Sequence, residues 1–182
     1  MIKKIGICFL GIVLLLAAVV LGYVIYMQAQ YYRIEDFTKV ETENQTQERI
    51  KPDAPYRIMT YNIGFGAYSA DYSFFMDTGE MKDGTKTAGT HARAVSKEAE
   101  EKNTAGSLSV LQRQKADFMF VQEVDEKATR SYQVNQRAAL EEGLSDYACA
   151  FANNFHSAYL FYPFSEPHGS VEAGMMTFSK YR

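Results

Sequence analysis

At 182 residues, with a formal charge of −3, 47% hydrophobic residues and 14% aromatic residues, the chain has globular composition sized for one modest domain beyond its first segment. The slight acidic balance excludes a global electrostatic footprint for nucleic acid, although a local basic groove is compatible with it. The two cysteines, Cys8 and Cys149, lie in segments of opposite character, which excludes a disulfide between them and makes Cys149 a small apolar residue of the interior.

After Met1-Ile2-Lys3-Lys4, the stretch Ile5 to Met27 carries no charge. At ~1.5 Å rise per residue it spans roughly 34 Å, enough for a bilayer core. It reads as a transmembrane helix over residues 5–27. The preceding lysines, and Tyr23 and Tyr26 near the far end, predict a single-pass protein with a cytoplasmic amino terminus and its bulk outside the cytoplasm. A cleaved signal peptide is the competing reading. The apolar stretch exceeds the usual ~7–15 residues and has no convincing small-x-small cleavage site, which favours the uncleaved anchor.

Residues 28–55 turn polar, with "KVETENQTQERIKPDAP" closed by two prolines, as expected of a juxtamembrane linker. Its "NQT" at Asn44 fits a glycosylation acceptor, a pattern that carries no weight alone. Residues 56–182 then alternate in type. "YRIMTYNI" predicts a strand, Gly64 to Gly89 a long aromatic loop, and "AVSKEAEEKNTAGSLSVLQRQ" a helix weakened around Asn103 to Gly106. "ADFMFVQEVD" is a dense apolar strand of the kind covered on both faces. "SYQVNQRAALEEGL" predicts a helix stopped at Gly143, "DYACAFA" a strand, and "AGMMTFSKY" a last strand. Strand, helix, strand, helix, strand is an α/β signature.

Two polar residues close two of these strands: Asn62 in "TYNIG" and Glu123 in "FVQEVD". In layered α/β folds such groups collect at the rim of the sheet, where ligands bind. If the strands are neighbours, a carboxylate suited to a hard divalent cation meets an amide that orients a phosphate oxygen or a metal-bound water. Taken singly, Asn62 is a turn residue before Gly64 and Glu123 a solvated acid. The ordered pair, separated by a helix, is what points to a site.

"RIMTYNIGFG", "ADFMFVQEVD" and "AGMMTFSKYR" together resemble the endonuclease/exonuclease/phosphatase superfamily of DNase-like, metal-dependent phosphoesterases, over Tyr56 to Arg182. The resemblance implies part of a four-layer α/β sandwich, with Glu123 as principal Mg²⁺ ligand, Mn²⁺ as a substitute, and Asn62 beside the metal holding the scissile phosphate. It implies a phosphoester substrate: a nucleic acid, nucleotide, phospholipid headgroup or inositol phosphate. The family's Asp-x-Asn, histidine-bearing and Ser-Asp-His motifs normally follow the strand matched by "MMTFSKY". The chain is therefore expected to represent the amino-terminal half of such a domain, completed by a complementary carboxy-terminal fragment or catalytically inactive as an interaction module. Half a sandwich is expected to leave apolar sheet surface without a partner.

Other residues have two readings each. Arg130, with Tyr132 just after "QEVD", clamps a substrate phosphate or pairs with Asp125 or Glu126. His168 in "EPHGS" is the best of three loop histidines for contacting phosphate, His91 and His156 being surface or capping residues. Asp77, Glu80 and Asp83 attract a cation or are solvated loop acids. The aromatic run Tyr68 to Asp77 walls the mouth of a site or packs on its own domain. Gly64 and Gly66 do not have the spacing of a phosphate-binding loop.

Overall fold

The computed structural model describes residues 2–182, in two units that divide between Tyr32 and Arg33. The first unit is helix α1, Ile2–Ala29. Its apolar residues run around the whole circumference and none of its membrane-length window is buried, so it has no face to turn toward a core. It is long and apolar enough to cross a membrane.

The second unit is mixed α/β. Its elements run β1 (Thr42–Glu43), β2 (Ile58–Asn62), a 3₁₀ turn (Gly64–Gly66), β3 (Thr78–Glu80), β4 (Lys86–Ala88), α2 (Lys97–Gln114), β5 (Phe118–Ala128), α3 (Gln136–Gly143), β6 (Ala148–Leu160) and β7 (Gly169–Ser179). Five strands form one sheet in the order β1-β6-β7-β5-β2. β2 and β5 are parallel and joined through α2, as parallel neighbours require; the other pairs are antiparallel.

Both helices cover the same face of the sheet. Leu111 of α2 and Leu140 of α3, with Leu144, pack on Met119, Val121, Met176, Phe178 and Cys149. Cys149 is buried and unpaired, and burial pushes its thiol pKa up, the state of an inert packing residue. Because cross-strand partners share a face, the row Thr60, Phe120, Thr177 and its neighbours look the other way. There Ile58 is 67%, Phe120 41% and Met175 43% exposed. The dense apolar run of β5 is thus covered by helices on one face only, not on both.

Several expected bounds move. The stretch expected as one long loop contains the 3₁₀ turn and the β3–β4 hairpin, closed around Asp83 and Gly84, where Thr85 N–H donates to Asp83 Oδ1 and Gly84 takes φ +86°. α2 runs unbroken through Asn103 to Gly106, because Asn103 Nδ2 donates to Gly66 O and Thr104 and Ser107 face the interior. α3 starts later than expected, at Gln136, behind the cap Asn135, whose side chain accepts from Ala138 N–H. β6 continues to Leu160, eight residues past the predicted strand, through residues too polar to signal it. The carboxy-terminal part of the polar linker lies on the sheet: Thr42 and Glu43 pair with Ala150 and Cys149, and Arg182 N–H donates to Glu48 O.

A buried polar network ties α2, α3 and β5 together. Glu100 Oε1 accepts from Thr104 Oγ1 and Gln136 Nε2, both at 2.7 Å, while Gln136 Oε1 accepts from Asp125 N–H at 2.8 Å. Glu100 Oε2 has no partner. Burial raises the Glu100 pKa, the two donors pull it back in part, and Asp125 adds to the rise. A carboxyl whose folded pKa is raised binds more protons folded than unfolded. Its contribution is fully present below the unfolded value and is lost as pH climbs through the folded one. Glu100→Gln is therefore expected to flatten the decline in stability that begins just above the ordinary glutamate range. Melting curves of both proteins across pH read this directly, and parallel profiles would refute it.

Candidate functional site

The site forms where β2 ends beside β5. Asn62 pairs with Gln122, and the ladder closes when Ile63 N–H donates to Gln122 O at 3.1 Å. The register of β5 against β7 then slips between Val121 and Val124, and Glu123 occupies this bulge with φ +55°. A non-glycine residue in this region costs on the order of 1–3 kcal/mol and is held by its surroundings. The bulge releases Glu123 from strict strand alternation and turns it toward the Asn62 end of β2. Asn62 Nδ2 donates to Glu123 Oε1 at 2.8 Å, and Asn62 Oδ1 accepts from Gly64 N–H at 2.8 Å. One amide thus makes the turn into the 3₁₀ segment and fixes the carboxylate.

Asn62 and Glu123 line a cleft of about 700 Å³, together with Tyr61, Gly64, Gly66 and Tyr68 on one side and Lys102, Asn103, Gly106, Ser107 and Val110 of α2 on the other. Tyr68 lies over Gly64 so closely that a β-carbon there would meet its ring at 2.5 Å. Gly64 also takes φ +56°, so glycine is required twice over. Burial, then the charges of Asp77 and Glu123, raise the Tyr68 pKa, keeping the phenol a hydrogen-bond donor at neutral pH. Lys102 is exposed at the opposite wall.

The remaining candidates lie elsewhere. Arg130 is buried, its Nε and one terminal nitrogen 3.1 and 2.8 Å from the Asp125 carboxylate, and its guanidinium stacks 3.9 Å over the Phe65 ring. Of its two readings, the pairing with Asp125 describes the geometry; the fork that would clamp phosphate is committed to a buried carboxylate. His168 is buried as well. Its Nδ1 donates to Ala92 O at 2.9 Å, which leaves Nε2 as the acceptor of a neutral ring, and burial lowers its pKa. Arg130 lies near enough to disfavour His168 protonation, so these two are neighbours of each other; neither lines the cleft.

His91 stacks on Tyr72 and approaches Glu166 at 4.0 Å, and His156 approaches Glu172 at 3.8 Å. Asp83 is a turn acid bound to Thr85, and Glu80 is exposed on β3. Most of the aromatic run packs on its own unit: Phe65, Tyr72 and Ala94 form a buried cluster with Phe74 and Tyr132 against it. Tyr68 is its member at the cleft wall.

The sequence reading missed the contribution of α2. Asn103, Gly106, Ser107 and Val110 recur at helical i, i+3, i+4, i+7 spacing, a small and polar stripe that runs from buried Ser107 to exposed Gly106 along the cleft.

Among the described residues no group of three or more His, Cys, Asp or Glu side chains converges as a ready-made metal cage. The donor set does fit a cation that keeps most of its waters. Mg²⁺ binds through one or two carboxylates plus substrate phosphates, and Glu123 is an exposed carboxylate whose Oε2 is left open by the bond to Asn62. Asn62 Oδ1 accepts from the Gly64 amide while its Nδ2 donates to Glu123, so Asn62 positions the Glu123 carboxylate. No protein family, curated protein or solved structure matches the chain.

Proposed function

We propose that the chain is a membrane-anchored, Mg²⁺-dependent phosphoesterase of the endonuclease/exonuclease/phosphatase type, cleaving a phosphodiester or phosphomonoester outside the cytoplasm. One observation carries the reading: β2 and β5 deliver the Asn62 amide and the Glu123 carboxylate to 2.8 Å of each other at a cleft. In this reading Glu123 holds the cation through its open oxygen. Asn62 fixes the carboxylate and lies beside the phosphate, Tyr68 donates to a phosphoryl oxygen, and Lys102 supplies positive charge across the cleft. Bound Mg²⁺ would polarise the phosphoryl oxygen and stabilise charge on the leaving oxygen. Helix α1 anchors the chain with its lysines in the cytoplasm.

A second reading is a non-catalytic interaction module, and the uncovered sheet face with Ile58, Phe120 and Met175 favours it. In a DNase-like sandwich a second sheet, from a complementary fragment, would cover this face. Hydrolysis of a chromogenic aryl phosphodiester by the full chain in detergent separates the two. Turnover that vanishes on chelation supports the enzyme; no turnover with Mg²⁺ or Mn²⁺ gives the module the better claim.

A further inference from the structure

We propose that an aromatic tip on the second unit, formed by Phe75, Tyr162 and Phe164 with Met76 adjoining, docks into the lipid interface of the membrane that α1 spans. The inference rests on the anchor in the reading above, and not on the phosphoesterase chemistry. Phe164 is 86%, Met76 68% and Tyr162 57% exposed. Their rings form one connected group: Phe75 to Tyr162 is 5.8 Å and Tyr162 to Phe164 is 6.2 Å between centroids.

The group is backed from inside. Phe75 contacts the buried His168 ring at 5.9 Å and Phe74 at 4.9 Å, and Phe74 in turn meets Phe65, which is buried. The tip is therefore a projection from a packed aromatic base, so little side-chain freedom is lost on docking. Rings of this kind in open water leave apolar surface uncovered, whereas at a bilayer interface they are enriched at headgroup level.

The choice of lipid follows from the tether and the charge. Only residues 30–41 separate the end of α1 from β1, a reach of at most ~40 Å for an extended chain. The tether keeps the second unit close to the bilayer whatever its orientation, so even a weak interfacial affinity is used. Residues 161–164 carry no charge, and the acids nearest the tip in sequence are Asp77, exposed beside Met76, and Glu166, which approaches His91; an acid at the rim disfavours an anionic surface. The tip therefore suits a neutral lipid surface, and docking should be insensitive to salt.

The chain contains no tryptophan, so Phe164→Trp creates a single reporter at an exposed position where the larger ring displaces nothing packed. The full chain is reconstituted into phosphatidylcholine vesicles with acyl chains brominated near the headgroup end. The Phe164→Trp emission is expected to fall by roughly half or more relative to unbrominated vesicles, at low and high salt alike, as for a ring held at headgroup depth. A matched reporter on the solvent side of α2, Arg113→Trp, should be unaffected, and adding Tyr162→Asp should restore the Phe164→Trp emission. Equal emission in the two vesicle types overturns the docking, as does a blue shift without bromine quenching, which would point to a protein contact. Retention of the chain after an alkaline carbonate wash reads the anchor separately; release would overturn the anchor and the tether argument with it.

Discussion

Arg130→Met is expected to cost the second unit about 3–5 kcal/mol, the largest loss of stability from any single truncation of its polar interior. The methionine restores much of the volume, so the loss is not a cavity effect. What it removes is the bidentate partner of Asp125, a fully buried carboxylate that would be left with no counter-charge. The stack over Phe65 goes as well. Hydrogen exchange of β5 amides in the full chain reports the change locally, without requiring the two units to unfold together. The pairing itself is tested by the double variant Arg130→Met, Asp125→Leu. If the buried charge is the source of the cost, removing both partners recovers most of it. A single-variant loss under about 1 kcal/mol would mean that Asp125 is solvated, and the arginine would again be available to substrate.

For this arginine the sequence offered pairing with Asp125 or Glu126 as one of two readings, without the means to choose. Five positions separate Asp125 from Arg130, and their pairing depends on the chain doubling back through Thr129 to Gln133 after β5, with Tyr132 and Gln133 at positive φ. No periodicity encodes that. By contrast, the apolar runs that lead into Asn62 and Glu123, with a helix between them, were legible, because a parallel pair joined by a crossover brings residues of matching register to one rim; that Glu123 does not close its strand, β5 continuing to Ala128, was not. The bulge that turns Glu123 toward Asn62 was not legible, since it resides in a backbone angle and in the β5–β7 register.

The β3–β4 hairpin carried its signal in Asp83-Gly84. Its flanks lack the apolar alternation that would have promoted it from a loop, and every residue of both strands is exposed. β6 shows the same limit from the other side: "NNFHS" reads as a break, yet the strand persists because β7 pairs with it on both sides of a bulge between Asn153 and Phe155. Propensity was overruled by pairing.

If the chain is the phosphoesterase proposed above, Glu123→Gln is expected to lower Mg²⁺-dependent kcat/KM by about a thousandfold or more, ~4 kcal/mol of transition-state stabilisation, while leaving the fold intact. Glutamine fits the same bulge at the same φ, and its carbonyl oxygen can still accept from Asn62 Nδ2, so the bond that spans β2 and β5 survives. What disappears is the negative charge at the open oxygen, the feature a hard cation selects. Asn62→Ala should behave differently. It frees the carboxylate to wander and removes the acceptor of the Gly64 amide, so the expected loss is about 10–100-fold, in the range of other groups that orient a ligand without binding the metal. The ordering of the two variants is the informative result. Should Glu123→Gln retain activity within about tenfold of the parent protein, the carboxylate is not the ligand the chemistry depends on. Its meeting with Asn62 would then be a strand-end hydrogen bond and nothing more.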